Sequence, residues 1–199
     1  MRNLALTILF ASFLLAKDTV PNPQQALIDK AVSLNQANKP NEALEVLKTA
    51  LGAQKTEIGK AQVKLHMAHS YFSLGNKEQS AQIIRETMPV FLKHSDRSYA
   101  SQALYLMSDV LRSQDAHDSA VKFFSGVSKD PSAQKDPYIL GTSMGLLASH
   151  LYESGNYDEA IRARREAIDI FSKAGFWQEA SVQREILNKM LQNPVRKKY

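Results

Sequence analysis

One phrase recurs along this chain of 199 residues and limits what it can become. Ser154–Ala160 reads SGNYDEA and is followed by the helical run IRARREAIDIF. Gly155 and Asn156 suit a helix stop, because glycine, and less readily asparagine, adopts the left-handed conformation of a C-cap. Asp158 and Glu159 then fall in the first turn of the next helix, where carboxylates meet the positive end of the dipole. Ala160 is small enough to let that helix lie close against its predecessor. The same punctuation occurs upstream as LGNKEQSA (Leu74–Ala81), SQDAHDSA (Ser113–Ala120) and ANKPNEAL (Ala37–Leu44). A chain punctuated this way repeats a helix-turn-helix unit.

Between the turns the apolar spacing is helical. Leu27, Ala31 and Leu34 mark a first helix opened by Pro23, and Glu42–Ala53 a second. Thr56 starts a third that runs to Leu74, with Val63, Met67, Ala68 and Tyr71 inward. The fourth, Lys77–His94, contains Pro89; an interior proline costs about 3 kcal/mol, which predicts a kink near Thr87–Pro89. Ala100, Leu104, Met107 and Leu111 line the fifth, and the sixth covers His117–Ser128. Lys129–Pro137, KDPSAQKDP, reads as the longest loop. The seventh helix follows Pro137, the eighth carries Ile161, Ala167, Ile168 and Phe171, and Ala174-Gly175 separates it from a ninth over Phe176–Leu191. No alternating strand pattern occurs, so the class is all-α with about nine helices.

Aligning the turns puts Ala43, Ser80, Ala120 and Ala160 in register, at spacings of 37, 40 and 40 residues. Each first helix presents a large-small pair ahead of another large or aromatic residue: Met67-Ala68 with Tyr71, Met107-Ser108 with Leu111, Leu147-Ala148 with Leu151. The pattern over about residues 22–192 resembles the tetratricopeptide repeat, GNYDEA being its most typical fragment, with a period longer than the usual 34. That resemblance implies a right-handed α-solenoid of antiparallel helix pairs over 23–192, closed by a terminal helix in which Trp177, Ile186 and Leu187 seal the stack. The chain departs from the pattern at Asp115 (usually glycine), Ser80 (usually alanine), Lys30 (usually apolar) and Arg164 (usually aromatic). The resemblance also implies a concave groove for an extended peptide or partner helix, lined by the first helix of each pair. By register, helix three offers Gln62, Leu65, His69 and Phe72; helix five Gln102, Tyr105, Asp109 and Arg112; helix seven Thr142, Gly145, Ser149 and Tyr152. Gln82 and Lys122 fall on the opposite, convex side. The family's carboxylate clamp is not expected, since Ile28 and Val32 stand where Lys and Asn are needed.

The ends carry separate signals. Arg2 followed by the apolar run Leu4–Ala16 reads as a signal peptide over 1–16, too short to span a bilayer. Residues 17–22 form an extended spacer and 193–199 a basic tail. A periplasmic or secreted location is expected, without a lipid anchor, because the chain has no cysteine. The net charge of +5 is spread out, which argues against a nucleic-acid partner. No nucleophile-base pair, phosphate loop or Gly-x-Ser-x-Gly motif exists, so neither an enzyme nor a cofactor site is expected. His66 and His69 share a helix at metal-compatible spacing but lack a third ligand. His94, His117 and His150 read as isolated. The resulting expectation is an exported adaptor that binds a protein or peptide segment. The alternative is a structural subunit of a membrane-bound envelope assembly, docked through the solenoid ends. The sequence does not set an oligomeric state.

Overall fold

A computed structural model describes residues 23–192. The expected signal peptide, spacer and basic tail lie outside the described residues. The chain order is α1 (Pro23–Gln36), α2 (Pro40–Ala53), α3 (Glu57–Ser73), α4 (Lys77–Lys93), α5 (Arg97–Ser113), α6 (His117–Lys129), α7 (Pro131–Gln134), α8 (Pro137–Glu153), α9 (Tyr157–Lys173) and α10 (Trp177–Gln192). Among the described residues there is no strand.

The turn chemistry read from the sequence is present and more uniform than the sequence suggested. At α3–α4 the Gly75 amide bonds the Phe72 carbonyl and the Asn76 amide the Tyr71 carbonyl, both at 2.9 Å, a Schellman closure. The same pair of bonds closes α1, α4, α5, α8 and α9, around Asn38, Ser95, Asp115, Gly155 and Gly175. All of these residues have φ between 54° and 87°. The next residue can then cap the following helix: Asn76 accepts from the Gln79 amide and Asp96 from the Tyr99 amide. From α3 onward, the helices other than the short α7 begin at 57, 77, 97, 117, 137, 157 and 177, so the unit is one helix and its connection, 20 residues in all. Two such units give the 40-residue period seen in the turns. The first spacing is 37 because α2 is 14 residues long, where α3 and α4 have 17, and it ends on extended Gln54 instead of a left-handed turn.

One expectation changes in detail. The loop after α6 contains the short α7, because Asp130 accepts from the Ser132 and Ala133 amides and Pro131 suits the first helical position. Among the described residues ten helices result instead of nine. Helix α4 continues through Pro89 without restarting, and the Thr87 hydroxyl donates to the Ile83 carbonyl at 2.9 Å one turn back.

Helices α1, α3, α5 and α8 pack in sequence; α2, α4 and α6 each bridge two members of that row, and α9 packs between α8 and α10. A large apolar cluster runs from Ala61 to Met190. A smaller one (Ile28, Ala31, Ala43, Leu47, Ala50, Val63) serves the first pair, and Met67 packs against both. The register positions Ala43, Ser80, Ala120 and Ala160 are all fully buried. Ser80 has a hydroxyl without a partner there, the cost of its departure from alanine. The terminal helix seals the stack with Ala180, Met190 and half-buried Ile186, whereas Trp177, expected to seal it, is 64% exposed.

Candidate binding face

The register-selected residues separate by helix. On α5, Gln102, Tyr105 and Asp109 are exposed, with Tyr105 at 52%. The Tyr105 hydroxyl reaches Thr142 on α8, and partial burial raises its pKa. Asp109 faces His69 of α3, whose own pKa burial lowers. Half-buried Phe72 lies one turn along α3, packed at the edge of the core. Exposed Tyr105 with its neighbours Gln102 and Asp109 therefore forms a polar-aromatic strip that the core does not consume.

Other expected residues are otherwise engaged. Leu65 is fully buried and belongs to the core, because helix α3 packs against helices on more than one side and its register position turns inward. Gln62 donates to the Asp96 carboxylate at 2.8 Å and so ties α3 to the start of α5. Arg112 is held by Glu153, Nε to Oε1 at 3.0 Å and to Oε2 at 3.2 Å, with Asp109 a further 3.6 Å contact. It is an interhelical tie and not a free anion receptor.

On α8 the same register is covered by α10. A Cβ added at Gly145 would stand 2.9 Å from Gln183 Oε1, so the missing side chain admits α10 instead of a ligand. Ser149 accepts from Arg164 Nη2 at 2.7 Å, and Arg164 Nη1 bonds Gln183. The Tyr152 hydroxyl donates to the Met190 carbonyl at 3.4 Å, and its ring meets Tyr157 edge-on at 5.0 Å. These three residues form an α8–α10 seam and leave the list of groove contacts. Arg164, which occupies a usually aromatic position, fills that volume and supplies the seam's donors. Burial pushes its pKa down to about 10.

A further cluster was not foreseen. His117 and His150, taken as isolated, bring their Nδ1 atoms to 3.2 Å, and Glu153 stands beside both. Antiparallel pairing puts the first turn of α6 beside the last turn of α8, so repeat register joined to the i, i+3 pair His150–Glu153 would have revealed it. His66, by contrast, meets the Tyr99 hydroxyl at 3.3 Å and stacks edge-on against that ring. Away from the α5 strip, a cleft of about 600 Å³ opens between α4 and α6, lined by Met88, Pro89, Leu92, Phe123 and Val127. Lys122, expected to be remote from any site, also borders this cleft.

No protein-family model and no curated protein matches the chain. Solved structures do match. The apo form of RapI aligns with a TM-score of 0.64 at 14% identity, over 86% of this chain and 65% of RapI. BtubC from P. vanneervenii aligns at 0.58 and 10%, over 88% and 81%. The tetratricopeptide-like repeats of a putative kinesin light chain from Podosopora anserina align at 0.54 and 15%, over 87% and 97%. This chain spans just under two thirds of RapI's own length. The fold that its turns and paired helices build is a tetratricopeptide-like helical repeat.

Proposed function

We propose that this protein is an exported adaptor that binds a protein segment along the α3–α5 face and carries out no chemistry. The observation that carries the reading is Tyr105, an aromatic half exposed at the middle of α5 and flanked by exposed Gln102 and Asp109. Tyrosine at the centre of a polar strip is favoured at binding hot spots, and the core does not need it. His69 and Phe72 extend the surface onto α3. The Rap structure, similar in fold at a TM-score of 0.53 and spanned to 53% of its length, holds a bound competence and sporulation factor, which supports a binding role for this architecture. Export rests on Arg2 and the apolar run Leu4–Ala16, and N-terminal sequencing of protein from its native host tests it. A mature chain beginning near Lys17 outside the cytoplasm is expected; an intact Met1 in a cytosolic fraction defeats export.

The binding test captures a partner with the mature protein and measures its affinity by calorimetry for Tyr105→Ala and Gln82→Ala. Loss on Tyr105→Ala alone supports the face. Greater loss on Lys122→Ala moves the partner to the α4–α6 cleft. A second reading, docking through the solenoid end within an envelope assembly, is favoured by Trp177 and Val182, exposed at 64% and 49% on α10. Trp177→Ala separates the two, since only end docking requires that ring.

A further inference from the structure

The histidine cluster at the junction of α5, α6 and α8 has a geometry that neither the repeat fold nor the α5 face requires. His117 opens α6, while His150 and Glu153 lie one turn apart at the end of α8. Three atoms converge: His117 Nδ1 and His150 Nδ1 at 3.2 Å, His117 Nδ1 and Glu153 Oε2 at 3.4 Å, His150 Nδ1 and the same Oε2 at 3.6 Å. Donor atoms each about 2.0–2.1 Å from a tetrahedral zinc ion stand about 3.3–3.4 Å from one another. We propose that His117, His150 and Glu153 bind one divalent ion of the zinc class, with a fourth coordination position open on the solvent side.

The surroundings support this assignment independently. Each imidazole has a partner on its other nitrogen, which fixes the tautomer a metal ligand needs. His117 Nε2 lies 3.0 Å from Asp115 Oδ1, and His150 Nε2 lies 3.0 Å from Ser108 Oγ. With the protons on Nε2, two imidazole lone pairs and a carboxylate face one another, and a cation between them relieves that repulsion. Asp115 also gains a reason for standing at a left-handed turn position, φ 54°, where glycine is usual: its carboxylate orients His117. The His150 ring is fully buried and stacked on Phe124 at 5.5 Å, so it is held before any ion arrives. Access is from the side of His117 and Glu153, whose side chains are 16% and 33% exposed. Arg112 is the one competing cation at Glu153 among the described residues, its Nε bonding Oε1 at 3.0 Å and Oε2 at 3.2 Å; an ion at Oε2 replaces the longer of these bonds and leaves the shorter one in place. A nitrogen-rich set with one carboxylate selects zinc and its neighbours over calcium or magnesium.

The test titrates tag-free protein with Zn²⁺ by calorimetry and with Co²⁺ by visible absorption at pH 7.5. The expected result is one ion per chain, four-coordinate Co²⁺ bands that Zn²⁺ displaces, and a raised melting temperature that chelator reverses. His117→Gln and Glu153→Gln, both at partly exposed positions, should abolish the bands. Asp115→Asn should weaken binding about 10-fold, because it alters only the group that orients His117. His94→Gln, which alters the exposed His94–Glu57 pair, should change nothing. Absence of stoichiometric binding overturns the proposal, as does binding that survives both His117→Gln and Glu153→Gln. Zn²⁺ uptake without four-coordinate Co²⁺ bands also overturns it, because the ion is then held elsewhere or in a different geometry. Melting curves of Glu153→Gln and His94→Gln separate loss of the ligand from loss of the fold.

Discussion

Helices α5 and α8 occupy equivalent places in the repeat, and their inner faces have opposite fates. On α5 the stripe carries Gln102, Tyr105 and Asp109, all exposed. On α8 the stripe carries Gly145, Ser149 and Tyr152; α10 closes over it through Gln183 and the Met190 carbonyl, and Arg164 of α9 bonds both Ser149 and Gln183. The difference lies in the residue volumes. Gly145 and Ser149 are small enough to admit a neighbouring helix, whereas Tyr105 fills its own space and its hydroxyl reaches Thr142. Register therefore says which face a residue is on. Whether that face is open depends on what the following helix brings to it.

The largest effect is expected where α8 is covered. Arg164 is 2% exposed and serves both Ser149 and Gln183. Arg164→Ala leaves a cavity and takes the donor from Gln183 and from Ser149, at a cost of about 3–5 kcal/mol in urea melts. Arg164→Met, which fills the space and removes a buried charge, should cost clearly less. If Ala is the milder change, the guanidinium does not hold the seam together.

On the open side the effect moves from stability to binding. Tyr105→Ala should cost about 2 kcal/mol in affinity for the captured partner and leave the melting curve nearly unchanged. Ser149→Ala on the covered stripe should do the reverse. A Tyr105→Ala protein that unfolds early would make α5 as closed as α8.

How far this contrast was legible follows from particular residues. The helices, their turns and the pairing could be read because glycine, asparagine and the carboxylates act locally, within one turn of where they sit. Tyr105 was identifiable because it lies off the Leu104, Met107, Leu111 stripe. Leu65 was misplaced because a first helix is contacted on more than one side, and a single stripe cannot describe that. The Gly145–Gln183 contact spans 38 residues and nothing local marks it; the His117–His150 contact spans 33, and the local His150–Glu153 pair points to it only once repeat register places α6 beside α8. Arg164 could be seen as a departure from the repeat, but not as the donor that closes the seam.

Acid provides a third test on the α3–α5 side. Burial lowers the His66 pKa to about 4; nearby His69 lowers it further, Asp29 opposes, and the ring nitrogen faces the Tyr99 hydroxyl. An unfolded histidine titrates near 6.5, so between those values the unfolded chain binds more protons than the folded one. Stability from this residue is complete above about pH 6.5 and is lost as pH falls toward 4, by about 1–2 kcal/mol at pH 5. His66→Gln should flatten that part of the stability-pH curve. An unchanged slope would place the proton uptake elsewhere.

The smallest effect compares the turns that follow α4 and α8. Both close with the same pair of backbone bonds, and both put one residue in the left-handed region: Ser95 at φ 54° and Gly155 at φ 87°. A side chain at that position brings Cβ toward the following carbonyl and costs about 1–2 kcal/mol, from which glycine is exempt. Glycine also has more freedom to lose from the unfolded chain, which offsets part of the gain. Ser95→Gly should therefore stabilise the protein by about 0.5–1 kcal/mol, and Gly155→Ala should destabilise it by about 1 kcal/mol. Opposite shifts in paired urea melts would show that the two turns differ only in this residue. If Ser95→Gly instead destabilises, the serine hydroxyl contributes at the α4–α5 turn, and the open half of the molecule depends on a contact that the covered half lacks.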